Sequence, residues 1–533
     1  MERERVISST NPSLAERLLG GVWCRRRWVW LGIFAVYAAG FNGQWRITPD
    51  SVEYATRARL LAEGRGPAVT GGDPSNPETS SFYRQRNPGL PRLIAAGFRL
   101  FGADDFRPAV LAIWLTGLGA LGLTYWLFSL HADRRTALVV TALVAVSRLF
   151  YQHAFELLTD MPFLAGLLLF LVGYERSWRG CRHAGWNWIL MATGVAVMGA
   201  FRSVALVFLA ALAVNVLWYV VRGPKRLPHL AIGLAMIAVV LAVRLGDSRL
   251  QTGKQFVPDA ELAVQTLVHP RATVRTLAFR NIPMLFENHL PQACFAIRLG
   301  PGLDSVVTIA VLGLGIGLAR RRLLWGLVVA AFATQWLLFL PDRRYVLAVL
   351  PLLAYAWWQG AAWLADRFRS PWAWRAFALA LAIWAVPNAL RVGQLIGEQR
   401  RVPFLGHYKE GRYVGLAEMG REINRITEPD SLIIVDQPKI LSAAIYYSRR
   451  RVVDAEELTG GSESLTEAAR SRLAAENHIY IIGPADRDLQ RLRDSRFLTW
   501  KWKKPLATAA RNGPEPWALF RAHRVPGSSP SVK

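Results

Sequence analysis

The stretch Ile47-Thr48-Pro49-Asp50-Ser51-Val52-Glu53-Tyr54 follows directly on a first apolar run, about 28 to 45, and its reading organises the rest of the chain. Thr48 suits the N-cap of a helix and Pro49 its first turn. Helical spacing then puts Asp50, Glu53, Tyr54 and Arg57 on one face and Ala55, Ala58, Leu61 and Ala62 on the other. The pattern predicts an amphipathic helix lying along a membrane surface. Asp50, near the positive end of the helix dipole, is expected to stay ionised and available as a base. The plainer reading of the octapeptide alone is a solvated helix start.

Composition decides between them. Of 533 residues, 52% are hydrophobic and only 19% charged, with 21 Trp and 24 Phe, which is too much apolar surface for one soluble core. Apolar runs of spanning length recur at about 28 to 45, 108 to 130, 136 to 152, 160 to 175, 187 to 201, 203 to 221, 228 to 245, 303 to 319, 323 to 340, 345 to 364 and 372 to 390. These predict an α-helical polytopic membrane protein of about 11 spans. The first run ends near the small residues Ala38, Ala39 and Gly40, but with so many spans behind it, it reads as an uncleaved helix.

The net charge of +26 would point to nucleic acid in a soluble protein. Here the cations sit in every second loop: Arg25 to Arg27, Arg134 and Arg135, Arg176 to Arg182, Arg222 to Arg226, Arg320 to Arg322, and Arg367 to Arg375. That alternation marks the cytoplasmic side and removes the case for nucleic acid. Residues 1–27 are then a cytoplasmic tail, 28–390 the membrane domain, and 46–107 and 246–302 its long outer loops. Cys24, Cys181 and Cys294 are too scattered for a disulfide framework or thiolate site.

Beyond Leu390 the composition changes. Residues 431–436 and 478–483 read as short buried strands, with helical patterns at 414–426, 440–447, 465–476 and 486–494. Residues 391–525 are therefore expected to form a small extracytoplasmic α/β domain with a parallel sheet, followed by a disordered tail at 526–533. Neither strand leads into a nucleotide-binding glycine motif.

Four further polar clusters fall at the outer depth of Asp50. Glu156 and Asp160 lie in Glu156-Leu157-Leu158-Thr159-Asp160-Met161-Pro162, where Thr159 or Asp160 is equally readable as a helix cap. Arg202, the pair Arg343 and Arg344, and Arg84 with Arg86 stand on the side where topology disfavours arginine. A guanidinium at that depth can hold a lipid phosphate bidentately. Taken singly, each is as readily a snorkelling residue or a partner of a nearby acid such as Asp342.

In order, these pieces resemble the GT-C glycosyltransferases, in particular the protein O-mannosyltransferase and aminoarabinose-transferase group. Asp50 to Tyr54 is similar to that family's D-x-x-x-Y segment and Arg86-Asn87-Pro88-Gly89-Leu90-Pro91 to its R-P-P-G-x-P turn. Glu156 to Pro162 matches E-x-x-x-D-x-P, Phe201-Arg202 a basic residue opening the sixth span, and Arg344-Tyr345 through Pro351 R-Y-x-x-x-x-x-P. The resemblance covers about residues 28 to 390. Asn87 stands where the family's turn has its first Pro, and the acid after Asp50 comes at Glu53 rather than next to it.

The resemblance implies transfer of a sugar from a polyprenyl-phosphate donor to a lipid or protein acceptor on the outer face, with inversion at the anomeric carbon. The chemistry of that transfer fits these residues without the family: catalysis falls to Asp50 as base with Glu156 and Asp160, the donor phosphate to Arg344, then Arg202 and Arg86, with Arg343, and substrate positioning to Glu53, Tyr54 and Tyr345. Some relatives use a divalent metal, for which His289 and His153 are the candidate ligands, although a lone His is more often structural. A bacterial inner membrane is the expected location. The competing readings are a lipid-linked polysaccharide ligase or polymerase, a transporter, and a noncatalytic membrane scaffold. Against transport, the polar residues gather at one interface rather than in mid-span, and no inverted repeat is visible.

Overall fold

The computed structural model describes residues 26–43, 48–64, 88–102, 105–179, 184–222, 230–239, 270–338, 342–368, 371–401, 416–435, 441–455, 475–484, 498–500, 505–509 and 517–524, with Ala242, Leu458 and Leu473. The helices of the first long loop are α2 (Pro49–Ala62) and α3 (Gly89–Phe101), preceded by α1 (Arg26–Gly40). There follow α4 (Arg107–Ser129), α5 (Arg134–Ala145), α6 (Arg148–His153), α7 (Asp160–Trp178), α8 (Ala184–Phe201), α9 (Ala205–Arg222) and α10 (Leu230–Val239). A helical stretch from α11 (Pro270–Thr276) to α12 (Leu290–Phe295) is widened by π-helical turns at Leu277–Asn281 and Leu285–His289. The last membrane-domain helices are α13 (Pro301–Gly317), α14 (Leu323–Leu338), α15 (Leu350–Phe368), entered through a 3-10 turn at Arg343–Val349, and α16 (Pro371–Arg401).

Among the described residues, five helices are long and apolar enough to cross a membrane, and three more are apolar but shorter. Each of the 11 apolar runs overlaps at least one of the helices just named. Their outward faces carry Trp28, Leu31, Phe34, Leu206, Val214, Leu217 and Trp218, all exposed. A belt of large exposed apolar side chains around a helical bundle is a surface made for lipid. This is an integral membrane protein.

Without a hydrophobic drive between helices in lipid, close packing has to come from small residues. At the α7–α8 crossing a Cβ on Gly194 would lie 2.5 Å from the Gly166 carbonyl oxygen, and one on Gly166 2.8 Å from that of Gly194. At the far end of α7, fifteen residues or about 22 Å beyond Asp160, Glu175 is buried 3.0 Å from His131 Nε2. Arg322 Nε lies 3.2 Å from His131 Nδ1, so the ends of α4, α7 and the α13–α14 turn are tied together there. The bundle is thus apolar along its length and polar at both ends.

The C-terminal part departs from the expected parallel sheet. Its helices α17 (Leu416–Ile426) and α18 (Leu441–Ser448) accompany six strands: β1 (Leu432–Val435), β2 (Arg451–Asp454), β3 (Ile479–Pro484), β4 (Leu498–Trp500), β5 (Ala507–Ala509) and β6 (Trp517–Arg524). The order is β2-β1-β3-β6-β4, with β5 also on β6. β1, β2 and β3 are parallel, but β6 runs antiparallel to β3, β4 and β5, so the sheet is mixed. Leu432 to Val435 are buried on both faces. Ile434, Ile481 and Phe520 point into one core, while Ile433, Tyr480, Ile482 and Leu519 point into the core continuous with the membrane bundle. The expected boundary at 390/391 falls inside α16, which runs unbroken to Arg401. The helices expected at 465–476 and 486–494 lie almost wholly outside the described residues, as does the 526–533 tail.

Candidate active site

Thr48 caps α2 as its sequence suggests. Its Oγ1 accepts from Ser51 N at 3.0 Å and Ser51 Oγ accepts from Thr48 N at 2.7 Å, a reciprocal capping box. The helix does not, however, lie on a surface with one wet face. Every residue from Ser51 to Ala58 is buried, including Glu53, Tyr54 and Arg57, because α3 packs along one side and α18 of the C-terminal sheet along another. What read as a polar face is a protein-covered one.

Asp50, at the first turn of α2, is paired with Arg344 Nη1 through its Oδ2. Both remain partly accessible, at 21% and 24% of the side chain. Arg344 is supplied by the 3-10 turn that Asp342 caps: Asp342 Oδ1 accepts from Arg344 N at 3.0 Å, and its Oδ2 lies 3.2 Å from Arg344 Nε. One guanidinium is therefore shared by two carboxylates. The next residue, Tyr345, presents its ring to Arg344 at 5.3 Å and to Arg202 at 4.9 Å. Arg202 occupies the break between α8 and α9 and pairs with Asp160, the first residue of α7. Thr159 stands at the N-cap of α7 but makes no side-chain cap bond, so the capping reading of this segment is not what the structure shows.

The structure thus brings Asp50, Asp160, Arg202, Arg344 and Tyr345, from four distant parts of the chain, around one aromatic ring. The third expected acid has other partners. Glu156 Oε1 accepts from Gln152 Nε2 at 2.7 Å, and its Oε2 is 3.8 Å from His153 Nε2. His153 Nδ1 donates to the Leu149 carbonyl at 2.9 Å. Arg343 opens the 3-10 turn beside Arg344. Glu53 and Tyr54 are held inside the α2 packing. Arg84 and Arg86 lie outside the described residues.

His289 sits in the second π-helical turn, with Nε2 buried and without a hydrogen-bond partner among the described residues. Burial lowers its pKa from the ordinary value, while nearby Asp342 opposes the shift and Arg343 adds to it. Among the described residues no group of three or more His, Cys, Asp or Glu is placed to hold a metal ion. His153 is engaged with the Leu149 carbonyl and Glu156, and His289 stands singly among the described residues.

A paired Asp and Arg can do one thing that neither does alone. An arriving phosphate competes for the guanidinium, and the carboxylate it displaces becomes a stronger proton acceptor. Sequence reasoning reached the residues of both pairs but not which acid meets which Arg. It also missed Gln152 as the partner of Glu156, although the i, i+4 spacing was there to read.

The fold has solved counterparts. The structure superposes on the crystal structure of ArnT from Cupriavidus metallidurans in the apo state with a TM-score of 0.56 at 14% identity, over 93% of this chain and 98% of that one. The chain has the GT-C glycosyltransferase fold. ArnT bound to undecaprenyl phosphate gives the same TM-score at 15% identity, over 92% and 96% of the two chains. The archaeal oligosaccharyltransferase AglB from Archaeoglobus fulgidus, in complex with an inhibitory peptide and a dolichol-phosphate, gives 0.55 at 11% identity, over 96% of this chain and 76% of that one. A family model described as dolichyl-phosphate-mannose-protein mannosyltransferase matches residues 85–243, which hold Glu156, Asp160 and Arg202 of this chain. No curated protein matches it in sequence.

Proposed function

We propose that this protein is an inverting glycosyltransferase that moves a sugar from a polyprenyl-phosphate donor to an acceptor hydroxyl on the outer face of the membrane. The observation that carries the reading is the meeting of Asp50 with Arg344 beside Tyr345, with the Arg202–Asp160 pair against the same ring. The fold supports it, as do solved GT-C structures with undecaprenyl phosphate and with dolichol-phosphate bound.

In this mechanism the donor phosphate draws Arg344 and Arg202 from their carboxylates, and Asp342 steadies the Arg344 side chain from behind. Asp50, released, accepts the proton of the acceptor hydroxyl as its oxygen attacks the anomeric carbon. The bond from that carbon to the phosphate oxygen breaks, and the lipid phosphate leaves with the electron pair, its growing charge held by the guanidiniums. Attack opposite the leaving group inverts the anomeric centre. Glu156 and Asp160 orient the sugar or acceptor. In this reading the protein is an 11-span chain of a bacterial inner membrane, and the alternating loop cations support an outward orientation for this end of the bundle, the long loops and the C-terminal domain.

The test is to reconstitute the full-length protein in liposomes and supply polyprenyl-monophosphate sugars or their diphosphate counterparts. Transfer from a monophosphate donor with inverted product stereochemistry is the expected result. Transfer from the diphosphate alone would make the protein a lipid-linked glycan ligase or polymerase instead. Movement of an intact sugar or lipid across the bilayer with no new glycosidic bond would make it a transporter.

A further inference from the structure

The far end of the Asp50 helix is gripped by the C-terminal domain. α18 is the crossover helix between the parallel strands β1 and β2, and it packs against α2. Arg59, in the last turn of α2, donates from Nη1 to the Tyr446 carbonyl at 2.8 Å, and its guanidinium lies 4.0 Å from the centre of the Tyr446 ring. That ring is buried and meets Phe106, just ahead of α4, at 6.0 Å and Tyr447 at 5.1 Å.

Behind this contact the domain is stiff. Asn424 Nδ2 donates to the Tyr447 carbonyl at 3.1 Å, and a Cβ at Gly420 would come within 2.4 Å of Tyr447 Cβ, so α17 and α18 have no room to slide. Arg450 donates to the Thr427 carbonyl at 3.0 Å and to Thr427 Oγ1 at 3.1 Å, locking the end of α17 to the turn before β2. From the other side, Arg99 of α3 donates to the carbonyls of Leu61 and Ala62. The last turn of α2 is held from two directions, and its first turn carries Asp50.

We infer that the C-terminal α/β domain is a splint for the catalytic helix, with Arg59 and Tyr446 as positioning residues that set where the Asp50 carboxylate sits. The inference rests on the glycosyl-transfer reading for its kinetic consequence but not for its structural one. Nine residues separate Asp50 from Arg59, about 13 Å of helix rise. Over that lever a tilt of about 5° moves Asp50 by about 1 Å. A misplacement of about 1 Å at a reacting group is enough to cost on the order of 100-fold in rate. The residues touch no substrate, so donor binding at Arg344 should change much less than turnover.

The experiment uses the full-length protein in liposomes with Arg59→Ala, Arg59→Lys, Tyr446→Ala and the Arg59→Ala/Tyr446→Ala double variant. Two readouts are taken: steady-state transfer from a polyprenyl-monophosphate sugar, and amide hydrogen exchange over residues 49–62. Arg59→Ala is expected to lower kcat by 10-fold to 100-fold with donor KM within about twofold, and to speed exchange in α2 but not in β1 or β3. Arg59→Lys, which keeps a donor for the Tyr446 carbonyl, should recover part of the loss. The double variant should lose less than the two single losses combined, since the guanidinium–ring contact is common to both. Unchanged exchange in α2, or losses that add in the double variant, would overturn the splint. Faster exchange in α2 in a wild-type background that transfers no sugar would instead overturn the functional reading and leave the splint standing.

Discussion

Replacing Asp50 by Asn separates chemistry from stability in a way that the pair geometry makes quantitative. The change keeps the shape of the side chain and removes its charge. Two unit charges at about 4 Å attract by about 4 kcal/mol at the effective dielectric of a partly wetted site. Desolvation and side-chain ordering take back most of that, so a pair with both members about a fifth accessible is worth about 1 kcal/mol net. Arg344 also keeps Asp342, 3.2 Å from its Nε, as a second carboxylate. Asp50→Asn should therefore shift Tm by no more than about 3 °C. Loss of a general base costs about 100-fold to 10,000-fold in rate, or about 3–5 kcal/mol of barrier. The assay is initial-rate transfer in liposomes at saturating donor, read beside a thermal melt of the same preparation. A folded variant that keeps more than a tenth of wild-type kcat would refute the assignment of Asp50 as base. A fall in Tm of more than about 10 °C would show that the pair is chiefly structural.

The other predictions follow from separate contacts. Arg344→Ala should raise the KM for a polyprenyl-phosphate donor at least about tenfold by removing a charge-assisted phosphate contact, whereas Arg367→Ala, at the opposite end of α15, should leave it unchanged; equal effects in a donor titration would remove the phosphate role. Gly194→Ala forces a methyl to within 2.5 Å of the Gly166 carbonyl and should destabilise the α7–α8 crossing by about 1–3 kcal/mol, measurable as a lowered denaturation midpoint in detergent. In the C-terminal domain, the Glu428 carboxyl is held below its ordinary value by its own backbone amide and then by the Tyr480 hydroxyl, 2.8 Å away. A depressed carboxylate stabilises the folded state above its unfolded pKa and loses that contribution as pH falls through the folded value. Glu428→Gln should thus lower the melting midpoint at pH 7, and the gap to wild type should close as the pH drops below 4.5; a gap independent of pH would contradict the linkage.

The linear chain determined a good deal by itself. The apolar runs and the alternating cations were enough to set a polytopic helical membrane protein, because lipid imposes length and charge rules that act locally. The cap at Thr48 was legible for the same reason: its bonds close within four residues. The mixed sheet was not, since β6 follows Pro516 and carries Arg521, His523 and Arg524, so its strand character depends on pairing with β3. Nor was the burial of α2, whose polar residues look solvent-facing until α18, almost 400 positions later, is laid against them. Only the tertiary structure decided that Asp50 faces Arg344 and Asp160 faces Arg202. Charge pairing between residues tens to hundreds of positions apart is a property of where helices meet, and nothing in the local spacing of either partner records it.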